Sequence, residues 1–149
     1  MKTIDSDNWQ DLLPQVLQIA GIGIWELVSS PDGLRMLFSS SIYTLFGYDQ
    51  GKIQGRFETF VQQICHPDFQ KDLQQTIDNA ILFPGDIFHF EFQVWSEHTG
   101  AWRWVYAFGK ALPTDNPGDV LIRGGVQDIH ERRAALQQLE RSQKKALQL

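Results

Sequence analysis

The sequence predicts an α+β domain: a five-stranded antiparallel sheet with short helices on one face, one helix before the sheet and another leaving it. Three observations predict it. Apolar spacing is helical over residues 9–20, strand-like on both sides of Pro31-Asp32-Gly33, helical again over residues 42–82 and strand-like over residues 88–129. Glycine, proline, aspartate and asparagine gather where the period changes. From Glu131 onward the chain has neither glycine nor proline and is rich in Ala, Leu, Gln, Glu, Arg and Lys, a composition that favours helix.

Trp9, Leu12, Leu13, Val16, Leu17 and Ala20 share one helical face, and Pro14 predicts that this helix either starts near Asp11 as its cap or kinks there. Residues 24–28 and 34–39 are two short strands around the Pro-Asp-Gly turn. Ser40 or Ser41 is expected to cap a two-turn helix over residues 42–46 that stops at Gly47. Phe57, Phe60, Val61 and Ile64 mark another short helix. Pro67 opens a longer one with the stripe Phe69, Leu73, Ile77, Ala80 and Ile81, stopped by Phe83-Pro84-Gly85. Phe88, Phe90, Phe92 and Val94 then alternate with His89, Glu91, Gln93 and Trp95, which is the pattern of a half-buried strand. Turns at residues 98–100 and 113–118 separate it from strands over residues 101–112 and 120–129. Three parts follow: a cap helix over residues 1–20, a domain over 21–130 and a linker helix over 131–149.

The 149 residues suffice for one core. Thirteen Lys and Arg against eighteen Asp and Glu leave a net charge of −5, which disfavours nucleic acid and an acidic membrane surface as partners. No stretch is apolar enough to insert into a membrane, no secretory leader opens the chain, and the single Cys65 excludes an internal disulfide, so the cytoplasm is the expected location.

Enzyme signatures are missing. Gly21-x-Gly23 has Glu26 where a dinucleotide fingerprint needs its third glycine, and no His-Glu-x-x-His, Gly-x-Ser-x-Gly or Gly-x-x-x-x-Gly-Lys string occurs. Cys65 beside His66 does not make a dyad, because side chains adjacent in sequence seldom converge. A noncatalytic domain is expected.

The strings at residues 21–26, 46–48, 66–68, 100–105 and 128–132 together, in this order and spacing, resemble a PAS domain, the small sensory module of bacterial signalling proteins. Gly21-Ile22-Gly23-Ile24-Trp25-Glu26 resembles its first strand, Phe46-Gly47-Tyr48 the end of its first short helix, and His66-Pro67-Asp68 the opening of its long helix. Gly100-Ala101-Trp102-Arg103-Trp104-Val105 resembles its fourth strand, and Asp128-Ile129-His130-Glu131-Arg132 resembles the Asp-Ile-Thr-Glu-Arg that closes its fifth. The resemblance spans residues 12–133 and implies the PAS fold. His130 departs from the pattern by standing where the triad has threonine.

The resemblance implies that Asp128 and Ile129 relay a signal from sheet to exit helix. It also implies that the domain forms a homodimer and regulates a C-terminal output domain, a diguanylate cyclase, phosphodiesterase or histidine kinase in a longer chain. Ile129, Leu136, Leu139 and Ala146 near heptad positions suit such a helix, although Arg132 and Gln143 interrupt the seam.

Phe90, Phe92, Val94, Val105, Ala107, Ile122 and Val126 are expected on the inner sheet face, opposite Tyr43, Phe46, Phe60 and Ile64 from the helices. They either line a pocket for a small molecule or fill a solid core, and the second reading makes the chain a pure dimerisation module. No cofactor is specified. A flavin-adduct site is disfavoured because Cys65 lacks the Asn-Cys-Arg context of the PAS photoreceptors, while haem would look first to His66, ahead of His89 and His98. On the outer face, Trp102, Trp104, Tyr106, Phe108 and Leu121 need cover, expected from the helix bearing Trp9, Leu13, Val16 and Leu17 or from a second copy.

Overall fold

Stretches of period two become strands and stretches of period 3.6 become helices in the computed structural model, which describes residues 9–53, 55–116 and 118–148, without the side chains of Trp9 and Gln10. The order is α1 (Trp9–Ala20), β1 (Ile22–Ser30), β2 (Gly33–Phe38), α2 (Ser40–Phe46), α3 (Phe57–Gln63) and α4 (Pro67–Leu82), then β3 (Phe88–Ser96), β4 (Ala101–Ala111), β5 (Leu121–Asp128) and α5 (His130–Leu147). The strands form one antiparallel sheet in the order β2-β1-β5-β4-β3. The helical segment α2 to α4 crosses from one edge of the sheet to the other and covers its inner face.

Alternation decides which side chains enter that face. Trp25 pairs with Phe38 and Gly124, Leu27 with Met36 and Ile122, Ala107 with Phe90 and Val126, and Phe92 with Val105. Ile42 and Phe46 of α2, Phe57 and Phe60 of α3, and Leu73 and Ile77 of α4 close over them. Trp25 fits because Gly124 lies beneath it: a Cβ on Gly124 would stand 2.7 Å from the indole and 1.9 Å from the Phe108 carbonyl oxygen. The indole N–H donates to the Gly125 carbonyl at 2.9 Å, so this buried ring leaves no polar atom unpaired.

Helix ends follow local chemistry, with two departures from expectation. Helix α1 runs through Pro14 instead of starting at Asp11. Pro14 lacks an N–H for the ladder, and the Gln15 side chain donates from Nε2 to the Asp11 carbonyl at 3.3 Å. Helix α2 begins at Ser40 behind Ser39, and no serine caps it through a side chain. The Ser39 hydroxyl instead accepts the Ile24 N–H at 2.9 Å and meets the Ser41 hydroxyl at 2.6 Å, tying β1 to α2. Gly47 ends α2 at φ +75° and donates its N–H to the Tyr43 carbonyl.

The free edge of β3 is covered by the chain before α4. Trp95 donates to the Ile64 carbonyl at 2.8 Å and His66 donates to the Gln93 carbonyl at 2.9 Å, so an exposed ladder edge is avoided.

Candidate functional site

Between the sheet and helices α2 to α4 lies a cavity of about 40 Å³. Phe46, Phe60, Phe92, Ala107 and Val126, all expected there, line it. Val94, Val105, Ile122 and Ile64 are buried in the same core without lining it, whereas Tyr43 and Phe90 are half-buried and pack against the core. The expected set omitted Trp25, Met36 and Phe38 from the first two strands, and Leu73 and Ile77 from α4. The alternation Gly23, Trp25, Leu27 pointed to Trp25, and the apolar stripe of α4 to Leu73 and Ile77.

A cavity this size admits about one water-sized molecule, and its wall is hydrocarbon and aromatic. Small-molecule pockets are roughly 300–1,000 Å³ and carry a few convergent polar groups. The only polar atom of Trp25, its indole nitrogen, is already bonded to Gly125. Haem and flavin do not fit this arrangement of side chains.

His66 stands outside the cavity wall. Its Nδ1 accepts the Asp68 N–H at 3.0 Å and caps α4, and its ring meets Trp102 edge-on at 4.6 Å. His89 stacks on Tyr106 on the outer face, and the His98 backbone packs against Gly47. Among the described residues, no group of three or more His, Cys, Asp or Glu side chains could hold a metal. Cys65 is 1% exposed and directs its thiol to the His66 carbonyl, not to the imidazole. Burial pushes that thiol up to about 12. Burial, then the Glu97 charge, pushes the Tyr48 phenol to about 12, and its hydroxyl donates to the Trp95 carbonyl at 3.1 Å.

Polar groups do converge where the sheet hands over to α5. Arg103 of β4 holds Asp128 of β5 through two bonds, Nε to Oδ2 at 2.8 Å and Nη2 to Oδ1 at 3.3 Å. The bond to Asp128 raises the Arg103 pKa above its already high ordinary value. Asp128 Oδ1 also accepts the His130 N–H at 2.9 Å, satisfying a donor at the start of α5. Ile129, buried, donates its N–H to the Trp104 carbonyl at 3.0 Å, and Nδ1 of His130 accepts the Trp104 N–H at 3.2 Å. One turn on, the Arg133 guanidinium lies 3.6 Å from the Trp104 ring centre and pairs with Glu91 of β3. The side chains of Glu91, Arg103, Trp104, Asp128, His130 and Arg133 and one backbone–backbone bond thus fix the first turn of α5 to three strands, while α5 itself has no buried residue. Asp128 and Ile129, expected as the relay pair, both lie at this junction, together with Arg103 and Arg133, which the expectation did not name, and His130, which it noted only as a departure from the threonine of the pattern; Arg103 was already visible in the Gly-x-x-Arg-Trp-Val string.

The outer face is arranged differently from the expectation. Trp102, Trp104, Tyr106, Phe108 and Leu121 are half-buried. Trp102 is met by His66 and by Trp95, the latter at 5.3 Å, and Trp104 by Phe69 at 5.3 Å and by Arg133. These contacts come from the start of α4, from β3 and from α5. Helix α1 lies against β1, joined to it by Gly21 alone, and in the sheet order β5 stands between β1 and β4. Across a 490 Å³ groove, Leu13 and Leu17 of α1 face Ser39, Thr44 and Leu45. Leu13 is 45% exposed and Val16 56%, so most of the apolar face of α1 is unspent within one copy. The side chain of Trp9 lies outside the described residues.

Among known proteins, a family model described as the PAS fold matches residues 35–126. The crystal structure of a sensory box histidine kinase/response regulator from Burkholderia thailandensis E264 is 20% identical over 92% of this chain and 98% of that one, with a TM-score of 0.69. The N-terminal domain of a diguanylate cyclase with PAS/PAC sensor from Marinobacter aquaeolei is 14% identical over 74% of this chain and 98% of its own, with a TM-score of 0.58. The PAS domain of the fruit-fly ELK potassium channel is 13% identical over 82% and 98%, also at 0.58. At these identities the likeness is one of fold. No curated protein matches the chain.

Proposed function

The chain belongs to the PAS fold family, and on that premise we propose that it is a noncatalytic, dimeric regulatory domain that passes a signal through α5 to a C-terminal output domain. The observation that carries this reading is the junction at α5. Arg103, Asp128, His130 and Arg133 join the first turn of the helix to β3, β4 and β5, and the rest of α5 has no buried residue. A helix held only at its base turns a small shift in the sheet into a displacement further along, provided the signal favours one of two arrangements. Leu136, at 54% exposure, and Leu139, at 55%, are the groups α5 offers to a second copy. The similar structures from a histidine kinase and a diguanylate cyclase support either kind of output domain. No described helix is long and apolar enough to cross a membrane, and we place the domain in the cytoplasm.

The 40 Å³ cavity favours a second reading, a dimerisation module whose core is full and which senses no small molecule. Native mass and absorption of the freshly purified chain separate the two. A dimer carrying extra mass or a visible band supports a sensor with a ligand-bearing pocket. A colourless dimer at twice the sequence mass supports the module, and a monomer contradicts both.

A further inference from the structure

We propose that His130 makes the junction between the sheet and α5 proton-sensitive: the junction is closed when the imidazole is neutral and released when Nδ1 takes a proton. This rests on the relay reading of α5 above and adds the input to which the relay responds.

The geometry sets the chemistry. Nδ1 of His130 accepts the Trp104 backbone N–H at 3.2 Å. An imidazole nitrogen can accept only while it carries a lone pair, and in the imidazolium both nitrogens are donors. Protonation therefore sets two N–H groups against each other and leaves the Trp104 amide without its acceptor beside the half-buried Trp104 side chain. The threonine that the PAS pattern places here would present a hydroxyl, which accepts with no charge change in the range where histidine titrates.

The charged groups around His130 come from four elements. Arg103 of β4 faces Asp128 of β5 at 2.8 Å and Glu131 of α5 at 4.0 Å. Glu91 of β3 is met by Arg132 at 3.8 Å and by Arg133. Each carboxylate is thus engaged by an arginine, and the His130 imidazole is the junction group whose hydrogen bond requires an unprotonated ring nitrogen. A proton bound at Nδ1 costs the closed state a hydrogen bond and costs the released state nothing, so by linkage acid favours release.

The test is amide hydrogen exchange of the 149-residue chain, read at Trp104 against the buried Ile122 near the start of β5, at about pH 8 and about pH 5.5, either side of the histidine range. The expected result is that Trp104 protection, corrected for intrinsic exchange and relative to Ile122, falls roughly fivefold to tenfold on acidification, the worth of one hydrogen bond. His130→Thr, which restores a non-titrating acceptor, is expected to hold protection at both pH values, and His130→Ala to lack it at both. His66→Asn, which can still cap α4, is expected to behave as wild type. Wild-type protection that does not change, a fall that persists in His130→Thr, or a fall abolished by His66→Asn overturns the proposal. If Trp104 responds as expected while the spacing of α5 between two copies does not, the proton-sensitive junction stands and the relay reading fails.

Discussion

Asp128→Ala should loosen the base of α5 and destabilise the domain, and Arg103 should account for most of the effect. The carboxylate makes two charge-assisted bonds to Arg103 and accepts the His130 N–H. Hydrogen bonds to charged groups contribute about 1.5–3 kcal/mol, and losing an acceptor at a helix start costs about 1 kcal/mol. The two side chains are 20% and 19% exposed, so solvent screens part of the attraction and the whole is about 3 kcal/mol. For a chain of this length that lowers the melting temperature by roughly 6–12 °C. Arg103→Ala should cost somewhat less, because Asp128 keeps its bond to the His130 N–H. The assay is a double-mutant cycle in urea with Arg103→Ala, Asp128→Ala and the pair. The pair should be less destabilised than the sum of the singles, by about 1.5–2.5 kcal/mol of coupling. Strict additivity would refute the reasoning, since it would mean that the two side chains act separately and that no joint exists.

Three further outcomes follow from the interior. Gly47→Ala should cost about 2–4 kcal/mol in urea unfolding, because the residue sits at φ +75° and a Cβ there would lie 2.4 Å from the His98 backbone nitrogen; a cost below about 0.5 kcal/mol would contradict that packing. Phe92→Ala should cost about 3–5 kcal/mol and open the 40 Å³ cavity, so that benzene raises the melting temperature of the variant but not of the wild type; equal stabilisation of both would show that the wild-type interior is already roomy. Burial holds the folded Cys65 and Tyr48 near 12, against ordinary values of 9.0 and 10.0. Because the folded values are raised, the unfolded chain loses these protons first: stability is intact below pH 9.0, falls through the window between the unfolded and folded values, and falls less steeply in Cys65→Ala. Urea midpoints that stay level from about pH 8 to about pH 11 would contradict it.

Elements were legible in the sequence because their signals are local. Phe88, Phe90, Phe92 and Val94 alternate without interruption, and His66-Pro67-Asp68 and Gly47 mark helix ends with chemistry that needs no distant partner. Seats and partners were not legible, because they depend on which strands lie side by side. Met36 and Phe38 entered the cavity wall only once β2 was placed beside β1. Helix α1 has an apolar face that the sequence displays, but its single-residue link to β1 decides where that face can go. The departure at His130 was visible as a missing hydroxyl. That a ring nitrogen takes over the Trp104 N–H follows from the antiparallel register of β4 and β5, which brings the start of α5 alongside Trp104.

The most direct test of the relay account is the distance between two copies of α5, measured by pulsed electron resonance on chain labelled at Gln137→Cys, with the buried Cys65 left unlabelled. The account predicts one narrow distance distribution in the otherwise wild-type chain, and a shifted or broadened one when Asp128→Ala is added. No intermolecular distance at all, or the same distribution with and without Asp128, would contradict it.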